Sequence, residues 1–159
     1  MKAAVLTVSD GVVAGTREDA SGDLLEQLLG AEGYEVTRRV VPDETEAIAG
    51  AILDLAHEAG VVLTTGGTGV APRDVTPEAT RSVIDREAPG IAEAIRADSI
   101  AKTPHALLSR GVAGIHHRTL VVNLPGSPGG CRDGFAVLLP ALSHALELLA
   151  DEPTSHRQT

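Results

Sequence analysis

The sequence predicts an α/β fold in which a mostly parallel central sheet is covered by helices on both faces, and three observations predict it. Runs of β-branched and apolar residues alternate with segments whose apolar residues recur at helical spacing. One run, Val61 to Thr65, is continuous rather than alternating, as a strand buried on both faces requires. Aromatic residues are nearly absent, with only Tyr34 and Phe135, so the core has to be built from Val, Leu, Ile and Ala, the usual filling of a sheet under helices.

Lys2 to Val8 reads as the first strand and ends at Ser9-Asp10-Gly11. Ser21 then stands before Leu24, Leu25, Leu28 and Leu29, which mark a helix closed by Gly33. Tyr34 to Val41 reads as a second strand. Pro42-Asp43-Glu44-Thr45-Glu46 opens a helix carrying Ile48, Ile52 and Leu55 and stopping at Gly60, with Asp43 and Glu46 in the D-x-x-E spacing of a capping box. After Val61 to Thr65 comes T-T-G-G-T-G-V-A-P-R-D-V-T-P-E-A-T, Thr64 to Thr80, whose Thr76-Pro77-Glu78 has the residue types of a helix start. A further helix spans Gly90 to about Lys102. Val112 to Ile115 and Thr119 to Leu124 read as a short hairpin around His116-His117, two histidines without partners at metal spacing. A last helix runs to about Leu149, with Pro140 expected to kink or divide it.

No repeat or change of composition marks a second domain, so residues 1–150 read as one domain and 151–159 as a polar tail expected to fray. A net charge of -9 and the lack of aromatic platforms disfavour nucleic-acid binding. The lone Cys131 excludes an intrachain disulfide and reads as a structural or incidental thiol. The first apolar run is too short for a signal peptide, and no apolar stretch is expected to approach a membrane span; a cytoplasmic protein is the expectation.

In a parallel α/β sheet, ligands bind outside the carboxyl ends of the strands. Four loops leave those ends here: Ser9-Asp10-Gly11, Pro42-Asp43-Glu44, Thr65 to Asp74, and Leu124 to Pro128. Gly66-Gly67-Thr68-Gly69 can turn bare backbone N–H groups toward an anion, or can simply make a tight strand-to-helix turn. The segment matches neither G-x-x-x-x-G-K-[ST] nor G-x-G-x-x-G. Asp74 follows the glycines closely, and a carboxylate near phosphates implies a divalent cation between them. Asp10, Asp43 and Asp74 could each be a plain turn or cap residue, yet all three fall on one edge with the glycine loop. That convergence points to Mg²⁺-assisted phosphoryl or nucleotidyl transfer. Arg17, Arg73 and Arg110 are candidates for anion contacts, whereas His57 and His144 read as packing or surface residues.

These stretches resemble the MogA/MoaB-like molybdopterin-binding family. The resemblance rests on Thr64 to Thr80, on Val8-Ser9-Asp10, on Val41-Pro42-Asp43, on Leu108 to Gly114 and on Val122-Asn123-Leu124-Pro125-Gly126-Ser127-Pro128, and it extends from Ala4 to about Leu149. It implies a three-layer α/β/α fold, a homotrimer, and, in MogA-type members, adenylylation of molybdopterin by ATP with release of pyrophosphate. By motif, Asp43 and Asp74 would be the essential carboxylates and Mg²⁺ ligands. Ser9, Asp10, Gly66, Gly67, Thr68 and Gly69 would hold the nucleotide, and Ser109, Arg110, Pro125, Gly126 and Ser127 would line the pterin or nucleotide pocket. A downstream molybdenum-inserting protein is an implied partner. Gly11 stands where many relatives carry Arg, a place Arg17 or Arg73 could fill. A MoaB-type binding protein or scaffold without turnover is the alternative reading, and a nucleotide or pyrophosphate hydrolase a third.

Overall fold

A computed structural model describes residues 1–150; the expectation of a frayed tail at 151–159 lies outside the described residues. Six strands form one sheet: β1 (Lys2–Val8), β2 (Glu35–Val41), β3 (Val61–Thr65), β4 (Arg86–Glu87), β5 (Ala113–His116) and β6 (Thr119–Leu124). Their order is β2-β1-β3-β6-β5-β4, with β2, β1, β3 and β6 mutually parallel and the last two pairings antiparallel. The sheet is therefore mostly parallel, as expected. The Thr119–Leu124 strand hairpins back from β5 to reach the centre of the sheet, and β4 is too short to leave a periodic trace in the sequence.

The helices are α1 (Asp10–Val13), α2 (Ala20–Ala31), α3 (Thr45–Ala56), α4 (Thr76–Val83), α5 (Pro89–Lys102) and α6 (Pro128–Ala150), with a 3-10 helix at Pro104–Leu108. Strand side chains alternate between two cores. Ala3, Val5, Val61, Leu63, Leu120 and Val122 face α2, α5 and α6, where Leu25, Leu29, Ile95, Phe135, Leu138 and Leu142 meet them. Ala4, Leu6, Val8, Val62 and Val121 face α3 and α4, where Ile48, Ile52 and Ala79 meet them. Each fully buried Leu or Ile in these two layers contributes roughly 1.5–3 kcal/mol, and the central strands carry apolar residues on both faces because both faces are covered.

Several local expectations are corrected. The α2 helix begins before Ser21, at Ala20, with Asp19 as its N-cap accepting from Gly22 N–H. The capping box at Asp43 does not form: Glu44 is the N-cap of α3, without a side-chain cap bond, and Asp43 points elsewhere. Pro140 does not divide α6, which is one helix of 23 residues. That helix is also long and apolar enough to cross a membrane by length and composition, against the expectation that no stretch would be. Its stripe of Cys131, Phe135, Leu138, Leu142 and Leu146 is nevertheless buried in the first core.

Candidate functional site

The chain order changes direction at β1. The strand after it lies on one side and β3 on the other, so a crevice opens beyond the carboxyl ends of β1 and β3, where ligands bind in such sheets. The β3 exit builds its floor. Gly66 and Gly67 have φ of 97° and 69°, in the left-handed region, and a Cβ on Gly66 would run into the Val8 carbonyl oxygen. Thr76 fastens the turn, its hydroxyl donating to Gly66 O at 2.9 Å and its N–H to Gly67 O at 3.1 Å. The turn is thus held open at its base by the first residue of α4. The choice that the sequence leaves between a plain turn and an anion site has a partial answer in this geometry: the turn is real, and its glycines line a cavity.

Two carboxylates flank it. Asp43 is held against the first loop by a reciprocal pair, Asp10 N–H donating to Asp43 Oδ2 at 2.9 Å and Asp43 N–H to Asp10 Oδ1 at 3.0 Å. Asp43 Oδ1 lies 3.3 Å from where a Gly67 Cβ would stand. Burial pushes the Asp43 carboxyl above its ordinary range, and the nearby charges of Asp10 and Asp74 add to the rise. Asp74 accepts from Ala71 N–H through Oδ2 at 2.9 Å, and the same oxygen is 2.9 Å from a Cβ built on Gly69. Asp10 is engaged differently from expectation. Arg73 grips it through Nε at 2.6 Å and Nη2 at 3.0 Å, which holds its carboxyl below the usual aspartate range. Asp10 positions Asp43 and lines neither of the cavities above the floor.

Two cavities meet on this floor. One, about 450 Å³, is lined by Gly67, Thr68 and Gly69 and by Ser109, Asn123 and Pro125, with Arg96, Lys102 and His105 on its wall. The other, about 580 Å³, is lined by Ser9, Arg17, Asp19, Asp43, Gly66 and Pro128. Gly67, Asp74, Gly126 and Ser127 belong to both. The β6 exit supplies the partition: Gly126 approaches Gly66 so closely that its Cβ would sit 3.4 Å from Gly66 Cα, and Ser21 Oγ donates to Gly126 O at 2.7 Å. Ser127 caps α6 by accepting from Gly130 N–H at 3.1 Å. Behind the partition the Thr65 hydroxyl donates to Pro125 O at 2.7 Å and contacts the buried Cys131 sulfur at 3.2 Å, a structural use of the lone thiol.

Arg110 serves the loop rather than the cavity. Its backbone N–H donates to Thr68 O at 2.8 Å, its Nε to Gly69 O at 2.7 Å and its Nη2 to Asp74 O at 2.7 Å, with Glu78 as its counter-ion. Arg110 is thus not a pocket-lining group. Asp19, which binds the Thr7 hydroxyl at 2.8 Å and Arg38 at 2.6 Å, carries no motif signal in the sequence, and neither do Arg96 and Lys102; all three escape a reading of the residues alone. Gly11 packs against Arg17, whose Cβ lies 3.3 Å from the place of a Gly11 Cβ, so a cation does reach the wall beside the first loop.

Glycine turn, paired carboxylates and twin cavities at a topological switch point define an α/β protein with a candidate small-molecule site beyond the carboxyl ends of its parallel strands. Residues 4–144 match the family described as a probable molybdopterin binding domain, and the chain belongs to that family. It is 42% identical, over 98% of its length, to the molybdenum cofactor synthesis protein cinnamon of Drosophila melanogaster, of which it spans only 26%. It is 37% identical to molybdopterin adenylyltransferase of Helicobacter pylori strain J99, over 91% of this chain and 85% of that one. The solved structure of the molybdopterin biosynthesis enzyme MoaB from Thermus thermophilus is 46% identical, with a TM-score of 0.88 over 96% of this chain and 98% of that one. The expected MogA/MoaB-like family and its α/β fold are thereby borne out.

Proposed function

We propose that this chain acts in molybdenum cofactor biosynthesis as a molybdopterin adenylyltransferase, joining the terminal phosphate of molybdopterin to the α-phosphate of ATP and releasing pyrophosphate. The observation that carries the reading is the pair of cavities sharing Gly67, Asp74, Gly126 and Ser127. A transfer between two phosphorylated substrates needs two adjoining sites whose reactive ends meet, and no covalent nucleophile. Gly66 N–H is spent on Leu124 O, so the Gly67–Gly69 backbone would supply the N–H groups at that junction, and the Asp10–Asp43 pair fixes the carboxylate that faces it.

A Mg²⁺ ion fits the donors present. Asp43 and Asp74 each accept one backbone N–H through Oδ2, which leaves both carboxylates with lone pairs for a hard cation. The raised affinity of Asp43 for a proton reflects burial and mutual repulsion that a cation would relieve. Bound there, the ion would neutralise charge on the reacting phosphates. A homotrimer, a cytoplasmic location and a downstream molybdenum-inserting partner belong to the same reading.

The MoaB-type alternative, pterin binding without turnover, stands beside it because the 46% identical Thermus protein carries the MoaB name, although that protein is itself called a molybdopterin biosynthesis enzyme. The two readings separate on Asp43→Asn and Asp74→Asn. As an adenylyltransferase, each variant loses at least about a hundredfold in kcat, in the range expected when charge stabilisation at a reacting centre is removed, while molybdopterin still binds by equilibrium titration. Native protein that binds molybdopterin but forms no adenylylated product contradicts the enzyme.

A further inference from the structure

The sequence shows no ligand set around His116-His117, yet the fold brings one. Asp85, just before β4, lies against the β5–β6 turn, and one ligand atom each from Asp85, His116 and His117 falls within 4.8 Å of the others. The β4–β5 pairing and the bond from Asp85 N–H to Ile115 O at 2.7 Å fix this juxtaposition.

We propose that Asp85, His116 and His117 form a binding site for one borderline divalent metal ion of the zinc type, apart from the phosphate junction. One ring nitrogen of His116 is already engaged by the backbone. Its Nδ1 sits 2.8 Å from Val83 O, a carbonyl that can only accept, so the hydrogen is on Nδ1 and the lone pair on Nε2 is available. A bond of this kind, made by the ring nitrogen that faces away from the metal, is what fixes the tautomer of metal-ligating histidines. His117 takes φ 51°, in the left-handed region, and its ring stands 4.5 Å from the His116 ring at 69°. Its N–H donates to Asp85 Oδ2 at 2.6 Å and thereby aims the carboxylate at the two imidazoles. Around one zinc ion with bonds of about 2.0–2.1 Å the ligand atoms stand about 3.3 Å apart, so small rotations of the exposed Asp85 and His117 side chains close the set. Three protein ligands on an exposed turn leave the fourth position to water. Two imidazoles and a single carboxylate select zinc, nickel or cobalt over magnesium.

The location separates this site from the first. The turn opens β6 at Thr119, whereas the cavities lie beyond its far end at Leu124, five residues and about 17 Å along an extended strand.

Zinc chloride titrated calorimetrically into the native chain tests the proposal. One ion per chain is expected, with the melting temperature rising by roughly 5–10 °C in hundredfold excess over the dissociation constant. His116→Asn keeps an amide donor for Val83 O, and His117→Asn suits a left-handed backbone; both should fold, as circular dichroism will check, and each should weaken zinc binding at least tenfold. His105→Ala should leave it unchanged. Native chain that takes up no stoichiometric zinc, or folded His116→Asn and His117→Asn variants that bind it as tightly as the native chain, would overturn the site.

Discussion

Sequence spacing casts Asp43 as the cap of α3, yet it stands one residue ahead of the true N-cap, Glu44. It instead accepts from Asp10 N–H and turns its other oxygen toward Gly67. The consequence is a charge kept partly out of water beside two others. Since its folded-state pKa is raised, the ionised carboxylate opposes folding above that pKa, and the penalty fades as pH falls through it toward the ordinary aspartate value. Asp43→Asn, whose amide oxygen can still accept from Asp10, should therefore unfold at higher urea than the native chain at pH 7. That advantage should shrink on acidification through the same window; one that grows would contradict the assignment. At Gly67 the constraint is steric: alanine there must hold φ near 69° and set its Cβ against Thr76 Oγ1. Gly67→Ala should cost about 1–3 kcal/mol in urea unfolding, with a loss of turnover beyond what stability explains.

Among the elements, the glycine loop depends on its clamp. The Arg110 guanidinium gathers the carbonyls of Gly69 and Asp74 into one fork and pairs with Glu78 of α4, while its backbone N–H holds Thr68 O. Its side chain is 38% exposed, so water replaces part of what a truncation removes. Arg110→Ala is expected to lower stability by about 1–2 kcal/mol and to raise KM for substrate more than it lowers kcat, measured by steady-state kinetics; an unchanged KM would place the loop's order elsewhere. The motif advertised Arg110, and only the fold shows that it binds the backbone of the glycine loop. Elements with sustained patterns were legible: β1, α2 and β3 emerge from spacing alone, because burial dictates their residues. Those that were not lack such a pattern. The α1 helix is a single turn, β4 has two residues, and the 3-10 helix Pro104–Leu108 buries nothing. Asp19 escapes notice since Ser21, a good cap type, lies two residues on.

At the scale of the molecule, the sequence order of strands and helices foretold which edge would carry the chemistry, and Ser9, Asp43, Asp74 and the glycines do gather there. The hairpin of β5 and β6 was legible; what no linear pattern could convey is that β6 pairs in parallel with β3. That pairing sets Gly126 against Gly66, divides the crevice in two, and brings Arg96 and Lys102 to the wall of one half. Lys102 is itself paired with Asp98 and Asp133, and Arg96 is bound to the Ser109 and Gly111 carbonyls, so these two cations alone do not offset the net charge of -9. In the proposed reaction the two halves hold two substrates whose phosphates meet over Gly67 and Asp74. The most direct test follows the α-phosphorus. With ATP labelled at that position, molybdopterin and Mg²⁺, the label is expected to leave ATP and appear covalently on the pterin, with one pyrophosphate released for each transfer. Label that stays in ATP while pterin is bound, or that appears as free AMP whether or not pterin is present, would contradict it.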